Sequence, residues 1–339
     1  MILIFWAAVF TGCSLVDEDV SDCNPQNTLE YSLKLVTNMT TELQTQFTMD
    51  ADVQLVSALT AHLSNIFTDY AHDVNLAFYD VAGDSLLLHR EDHEMEASQH
   101  SYSLRIPVRE YMHVAAANVG QNPHITIDAD EKCHTTRLQQ AIRDTVDSQR
   151  TGIFTARLPL DIHEGEDQQF DVTLYMANCA SVLVLDTLGS HIKDVKVFTS
   201  GFATSFDMAD STYRYPYTPI VRTEKVEVED SGFGQRLCFV SVNFPSPEEP
   251  LTKTIVNSED PYVAQNAESP LWRIRIYTTC EDGTVTETQL GVLLPLRSGQ
   301  VKVVQGQVAP DGSVAPDGEQ MIVLVKLNWT SGMSWDVGF

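Results

Sequence analysis

Apolar and polar side chains alternate along most of the chain, a pattern typical of half-buried β-strands. The first alternation covers residues 29–36, Leu-Glu-Tyr-Ser-Leu-Lys-Leu-Val. The same reasoning predicts strands at 74–81, 85–89, 102–108, 112–117, 170–176, 180–185, 194–198, 225–228, 237–244, 271–277, 284–290, 300–307 and 321–329. Residues 82–84, Ala-Gly-Asp, predict a hairpin between two of these strands.

One segment has helical spacing instead. Apolar residues recur at intervals of three and four after Asp52, a residue type that caps helix N-termini. The members of this apolar face are Val56, Leu59, Leu63, Ile66 and Phe67. The pattern predicts an amphipathic helix over 53–67, and the polar stretch 131–148 is predicted to hold a second, short helix.

Many short strands with one clear helix favour an all-β fold built from two antiparallel β-sandwich domains in tandem. A length of 339 residues supports two domains. Polar sequence between 148 and 160 separates two patterned regions. We therefore predict an N-terminal sandwich domain over 28–152 and a C-terminal sandwich domain over 153–339.

The N-terminus has the features of an export signal. Residues 1–12 are apolar and uncharged, which predicts a signal peptide. Thr11-Gly12-Cys13 has the form of a bacterial lipobox, so Cys13 is the predicted lipidation site, with an ordinary cleaved signal as the alternative. Residues 13–27 then form a predicted acidic tether that cannot pack a core.

Composition excludes some classes of partner. Hydrophobic residues make up 43% of the chain and charged residues 20%, which is typical of folded domains. Asp and Glu number 47 against 21 Lys and Arg, a formal charge of -26. Such a surface repels phosphate backbones and anionic headgroups, so we expect neither nucleic-acid binding nor electrostatic membrane docking.

The C-terminal strand is a candidate for pairing with another subunit. Two alternating apolar series occur there, and they either complete their own domain or insert into a neighbour's groove. The candidate residues are Met321, Val323, Val325, Leu327, Trp335, Val337 and Phe339.

The sequence carries no recognisable catalytic motif, so we expect no enzymatic activity, no cofactor and no small-molecule substrate. With Cys13 lipidated, an odd number of cysteines remains; Cys23 and Cys133 are a candidate disulfide, while Cys179 and Cys238 are expected to be core thiols. His89 and His93 would share a strand face and hold a metal, but a solvated charged loop is favoured and no metal site is expected.

The repeated Val-Ala-Pro-Asp-Gly at 308–312 and 314–318 favours tight turns and predicts an elongated hairpin tip between the last two strands, at 300–307 and 321–329. Calcium would need more oxygen ligands than these repeats supply.

The block from Cys13 to Cys23, followed by a strand, a helix and a hairpin, resembles the fimbrial anchor lipoproteins of Bacteroidetes, the basal subunits of type V pili. Segments 110–120, 158–163, 201–207 and 215–219 are also similar to that family. The resemblance implies two transthyretin-like β-sandwich domains and a lipid anchor in the outer membrane. It also implies exposure at the cell surface and strand complementation with fimbrial stalk subunits.

Arginine positions bear on the role within such a fimbria. In the family, stalk subunits lose their first strand to an Arg-specific protease, whereas an anchor keeps it. The first arginine here is Arg90, so cleavage at arginine cannot cleanly release residues 29–36. This favours a terminal anchor subunit; the alternative is a tip adhesin or a lipoprotein that binds glycan or host protein, with Tyr213, Tyr215 and Tyr217 as an aromatic platform.

Overall fold

The computed structural model describes residues 26–37, 39–47, 53–81, 86–96, 99–129, 132–164, 168–187, 191–228, 236–251, 269–318 and 321–329. Within these residues the helices are α1 (Met39–Gln46) and α2 (Val53–Ile66), with a short 3-10 helix at Cys133–Thr135. None of the described helices is long and apolar enough to cross a membrane.

Strands make up most of the described chain. The first group is β1 (Gln26–Val36), β2 (Asp73–Asp80), β3 (Leu87–Glu94), β4 (Ser101–Pro107), β5 (Glu110–Ala117), β6 (Ile125–Asp128), β7 (Arg137–Gln140), β8 (Thr145–Asp147), β9 (Phe154–Asp161), β10 (Gln168–Met176) and β11 (Cys179–Asp186). The second group is β12 (Ile192–Ser200), β13 (Ser205–Asp207), β14 (Thr212–Arg214), β15 (Ile220–Arg222), β16 (Glu224–Val226), β17 (Arg236–Asn243), β18 (Trp272–Cys280), β19 (Val285–Val292), β20 (Val301–Val308), β21 (Val314–Asp317) and β22 (Met321–Trp329).

The first sheet, here called the folded sheet, has the strand order β3-β2-β5-β9-β10-β1-β4. Among the described residues, its two halves are joined where Thr155 and Phe154 of β9 pair with Tyr175 and Met176 of β10. In a flat sheet β1 and β5 would lie about 14 Å apart, because strands are spaced at about 4.8 Å. The rings of Tyr31 and His113 are nevertheless 5.3 Å apart, so the sheet folds over at β9 and β10 into a sandwich.

Three further sheets complete the fold. The middle sheet has the order β16-β17-β11-β20-β21, the outer sheet β22-β19-β18-β12-β15-β8, and the small sheet β14-β13-β7-β6. Strand β11 is buried on both faces: Val182 and Val184 face the folded sheet and the helices, while Leu183 and Leu185 face the outer sheet. The middle and outer sheets therefore form a second sandwich, and the predicted all-β fold is confirmed.

The helices pack between the folded sheet and the middle sheet. The buried residues Leu55, Leu59, Leu63 and Ile66 of α2 contribute to the same core as both sheets. The helix predicted over 53–67 is confirmed with its end one residue earlier. Helix α1 was not predicted. The short helix predicted within 131–148 is present as the three-residue 3-10 helix, and strands β7 and β8 follow it in the same stretch.

Strand pairing departs from the predicted organisation in two ways. Strands β9 and β10 pair with β5 and β1, so the folded sheet runs across the predicted division between residues 152 and 153. Three pairs, β1 with β10, β11 with β20 and β15 with β8, are parallel rather than antiparallel. A polar stretch marks a loop in the sequence but does not decide which strands meet across it.

The Val-Ala-Pro-Asp-Gly repeat does not form the predicted tip between the strands at 300–307 and 321–329, because β22 pairs with β19 in the outer sheet. Strand β20 instead forms an antiparallel hairpin with β21. The first copy forms its turn, in which Gly312 has a φ of 78° and donates its N–H to Ala309 O. The second copy forms strand β21 itself rather than part of the tip.

Candidate functional site

Strand β22 lies at the edge of the outer sheet. It pairs antiparallel with β19, from Met321 opposite Val292 to Trp329 opposite Val285. No other described strand pairs with its second side. An edge of this kind presents backbone N–H and C=O groups that another chain can pair with.

A β-bulge at Leu324 divides the side chains of β22 between two faces. Val323 pairs with Leu290 but Val325 pairs with Gln289, so Leu324 is the extra residue. Met321 and Val323 consequently share the side of β19 that faces the core, while Val325 and Leu327 share the outer side. The predicted partner-strand residues of β22 therefore do not form one stripe.

The edge strand keeps apolar side chains in solvent. Val323 is 50% exposed and Leu327 is 44% exposed. Lys326 holds the strand to the β20–β21 turn, because its Nζ lies 2.9 Å from Asp311 Oδ2. Hydrogen bonds from the Ser313 hydroxyl and from Lys326 lower the pKa of Asp311 to about 2, so the carboxylate stays charged.

Three other positions where a described sheet could accept a strand are protected. Residues 89–94 of edge strand β3 are all charged or histidine, and edge strand β21 carries Pro316. At the start of β20, Gln46 of α1 takes the place of a strand: Val303 N–H donates to its Oε1 at 2.8 Å, and its Nε2 donates to Val301 O. Charge, proline, β-bulges and a covering helix are the usual ways to prevent edge pairing. Strand β22 has the bulge at Leu324 and the charge of Lys326, and it also carries two exposed apolar side chains.

Strand β1 lies inside the folded sheet. It pairs in parallel with β10 and antiparallel with β4, and its side chains Leu29 and Tyr31 are fully buried. The Tyr31 hydroxyl donates a hydrogen bond to His113 Nε2 across the core. The first strand is thus an integral part of its sandwich.

No family model and no curated protein matches the sequence. Among solved structures, a candidate adhesin from Bacteroides ovatus aligns with 92% of this chain and 100% of its own, at 14% identity and a TM-score of 0.50. A second candidate adhesin from Bacteroides ovatus aligns over 91% and 97%, at 9% identity and a TM-score of 0.50.

The chain shares the fold of these Bacteroides proteins. The similar structures also include the fimbrial anchor protein Mfa2 from Porphyromonas gingivalis, which covers 88% of this chain and 97% of its own, at 11% identity and a TM-score of 0.48.

Several predicted site residues lie outside the described part of the chain: Cys13, Cys23, Trp335, Val337 and Phe339. Cys133 lies in the 3-10 helix, where burial raises the pKa of its thiol and the guanidinium of Arg157 opposes that change. The pairing of Cys133 with Cys23 therefore stays a prediction. Cys179 and Cys238 are buried in the core, as predicted.

The aromatic platform considered for sugar is only partly exposed to solvent. Tyr213, Tyr215 and Tyr217 are all half-buried. The Tyr213 hydroxyl donates to Ala177 O at 2.7 Å, and that of Tyr217 donates to Gln140 O at 2.9 Å. These side chains therefore bind their own domain.

The charged segment around His89 is a strand rather than the predicted loop. The Nε2 atoms of His89 and His93 lie 2.6 and 2.7 Å from the two carboxylate oxygens of Glu91 between them. Both imidazoles are thus bound to one carboxylate, and the described residues contain no cluster suited to a metal ion.

Proposed function

We propose that this protein is a cell-surface lipoprotein that anchors a fimbria to the outer membrane and ends its assembly. Three features support the proposal: a fold shared with Bacteroides candidate adhesins, a first strand built into its sandwich, and exposed apolar side chains on the edge strand β22. The position of β1 carries the most weight, because it bears on how such a chain would join others.

A chain that keeps β1 is complete on that side. Removing β1 would leave both β10 and β4 without the strand that now pairs with them, and it would expose the core to which Leu29 and Tyr31 belong. An open groove of that kind is what a neighbour's strand fills in strand complementation. Because no arginine precedes Arg90 in β3, an arginine-specific cut would have to remove β1, α1, α2 and β2 together. We therefore infer a subunit that accepts no strand at this position and so terminates the polymer.

The edge of β22 is the proposed contact with the adjoining stalk subunit. A partner strand that pairs with it would gain main-chain hydrogen bonds and would cover Val323 and Leu327, which solvent now reaches. Membrane attachment is proposed through lipidation at Cys13, since two or more acyl chains at one thiol hold a protein stably to a bilayer.

The test combines two changes on β22, Val323→Lys and Leu327→Lys, in the cells that make the protein. Leu88→Lys is the matched control, because Leu88 is also an exposed apolar residue on an edge strand, in this case β3. We expect the double variant to stay in the outer-membrane fraction and to melt within a few degrees of wild type, while polymeric fimbriae detach from the cells. The control is expected to retain them.

Fimbriae that stay attached in the double variant would contradict the role given to β22. A tip adhesin or a separate glycan-binding lipoprotein predicts another outcome, in which deletion of the gene changes adhesion and leaves the fimbriae attached to the cells.

A further inference from the structure

A cleft lies beside the seam where the folded sheet turns over. Its volume is about 580 Å³, and β9 and β10 supply its floor. The far wall comes from β13, the turn before β14, and Ser298. Pockets of about 300–1,000 Å³ are the usual size for small organic ligands.

Side chains that face away from the core form the floor. Val172 and Leu174 of β10 belong to the core, so alternation turns Asp171, Thr173 and Tyr175 to the opposite face. Tyr175 is 63% exposed, although large aromatic side chains are normally covered.

Strand β9 extends this polar floor. Thr155 lies directly opposite Tyr175, and the exposed Arg157 follows two residues later on the same face. The floor thus combines one aromatic ring, three hydroxyls, one guanidinium and one carboxylate.

The wall opposite the floor is firmly packed. Phe206 and Met208 are buried in the core beneath the small sheet, and the hydroxyls of Ser211 and Ser298 stand at the exposed rim. The hydroxyl of Tyr213 is bonded to Ala177 O behind this rim. The cleft therefore has a rigid apolar back and polar margins.

Backbone geometry argues against an extended peptide as the ligand. Ile162 N–H donates to Arg109 O, so the even-numbered residues of β9 bond to β5 and the odd-numbered residues direct their backbone groups toward the seam. One of these is Pro159, which has no N–H to donate. A peptide strand that paired with β9 would lack one backbone hydrogen bond at Pro159, in the middle of the paired segment.

Charge argues against a polyanion. The cleft contains one cationic and one anionic side chain, Arg157 and Asp171, in a protein of formal charge -26. A neutral ligand rich in hydroxyl groups and with an apolar ring face matches this set, because planar guanidinium and carboxylate groups bond adjacent hydroxyls while an aromatic ring takes the apolar face.

We propose that the cleft binds a neutral oligosaccharide, with one sugar ring stacked on Tyr175 and its hydroxyls bonded to Arg157, Asp171 and Thr173. The proposal is independent of the anchoring role, because it uses β9 and β10 rather than β22. It also places sugar recognition at a different tyrosine from the three that alternate at 213–217.

The experiment applies the folded full-length protein to an array of neutral and charged glycans, followed by calorimetric titration with the best neutral glycan. We expect saturable binding that weakens at least tenfold in Tyr175→Ala and less than threefold in Tyr175→Phe, which keeps the ring. Val36→Ala is the control, since Val36 lies opposite Tyr175 in β1 but does not line the cleft, and it is expected to bind as wild type.

Two results would overturn the proposal. One is an array without any saturable neutral glycan. The other is a Tyr175→Ala protein that is folded by circular dichroism and binds the glycan as tightly as wild type. Retention of an extended peptide in the cleft, competed by no sugar, would assign the site to a protein partner instead. None of these results bears on attachment of fimbriae through β22.

Discussion

The buried imidazole of His113 predicts that the first sandwich weakens in acid. Its ring stacks on Phe78 with centroids 4.3 Å apart and planes at 13°. Nδ1 donates to Ala77 O at 3.1 Å, since a carbonyl can only accept, and Nε2 accepts from the Tyr31 hydroxyl. Both nitrogens are thus satisfied by the neutral ring, and burial lowers the pKa of His113 from 6.5 to about 4.

The size of the effect follows from that pKa. In the unfolded chain His113 binds a proton below about pH 6.5, whereas in the folded chain it does so only below about pH 4. Stability therefore falls as the pH falls through this window. At about 1.4 kcal/mol per pH unit, the loss between pH 7 and pH 4 is about 3 kcal/mol. This loss of stability is absent above the pKa that His113 has in the unfolded chain.

The assay is native-state hydrogen exchange of peptides from β1 and β5 between pH 7 and pH 4, corrected for the pH dependence of intrinsic exchange. The opening free energy of wild type is expected to fall about 3 kcal/mol further than that of His113→Phe, which has no titrating ring. Tyr31→Phe is the control for the hydrogen bond alone. It is expected to lower the opening free energy by about 1–3 kcal/mol at every pH and to keep the wild-type dependence on acid. If the opening free energy falls by the same amount between pH 7 and pH 4 in wild type and in His113→Phe, the reasoning is refuted.

Two further pairs of substitutions test the packing. Leu59→Ala removes a fully buried side chain of α2 and should cost about 2–5 kcal/mol in urea unfolding, whereas Val53→Ala at an 80% exposed position of the same helix should change stability by less than about 1 kcal/mol. Gly201→Ala should lower the free energy of unfolding more than Gly318→Ala, as measured by tryptophan fluorescence in urea. Both glycines have a positive φ, but the new Cβ at residue 201 would lie 2.9 Å from Trp272 Cα, whereas the new Cβ at residue 318 would have no atom within 4 Å. Equal losses within either pair would contradict the packing described.

Alternation and helical spacing predicted the long elements because each of them buries one face. The strands at 237–244 and 321–329 and the helix at 53–67 coincide with β17, β22 and α2 to within one residue at either end. The run 180–185 is apolar at every position except Ser181 because β11 is covered on both sides.

The short elements gave too little pattern to predict. Strands β13, β14 and β15 each span three residues, fewer than two periods of alternation. Helix α1 has only Met39 and Leu43 as a buried pair, one turn apart. The fold-over at β9 and β10 and the parallel pairing of β1 depend on contacts far apart in sequence, which local spacing does not encode.

The candidate sites were harder to predict than the elements. The bulge at Leu324 reverses the faces of β22, so the regular alternation from Met321 to Leu327 suggested a single stripe that does not exist. Tyr213 and Tyr175 each occur in alternating segments, but only the neighbouring small sheet decides that the first is half-buried and the second exposed.

The central claim is that the mature chain is a lipid-anchored terminal subunit that keeps its first strand. The most direct measurement is the intact mass of the protein extracted from outer membranes together with attached fimbriae. The account predicts a chain that begins at Cys13, carries acyl groups and retains β1. A mature chain that begins after Arg90, without acyl groups and within the polymer, would contradict it.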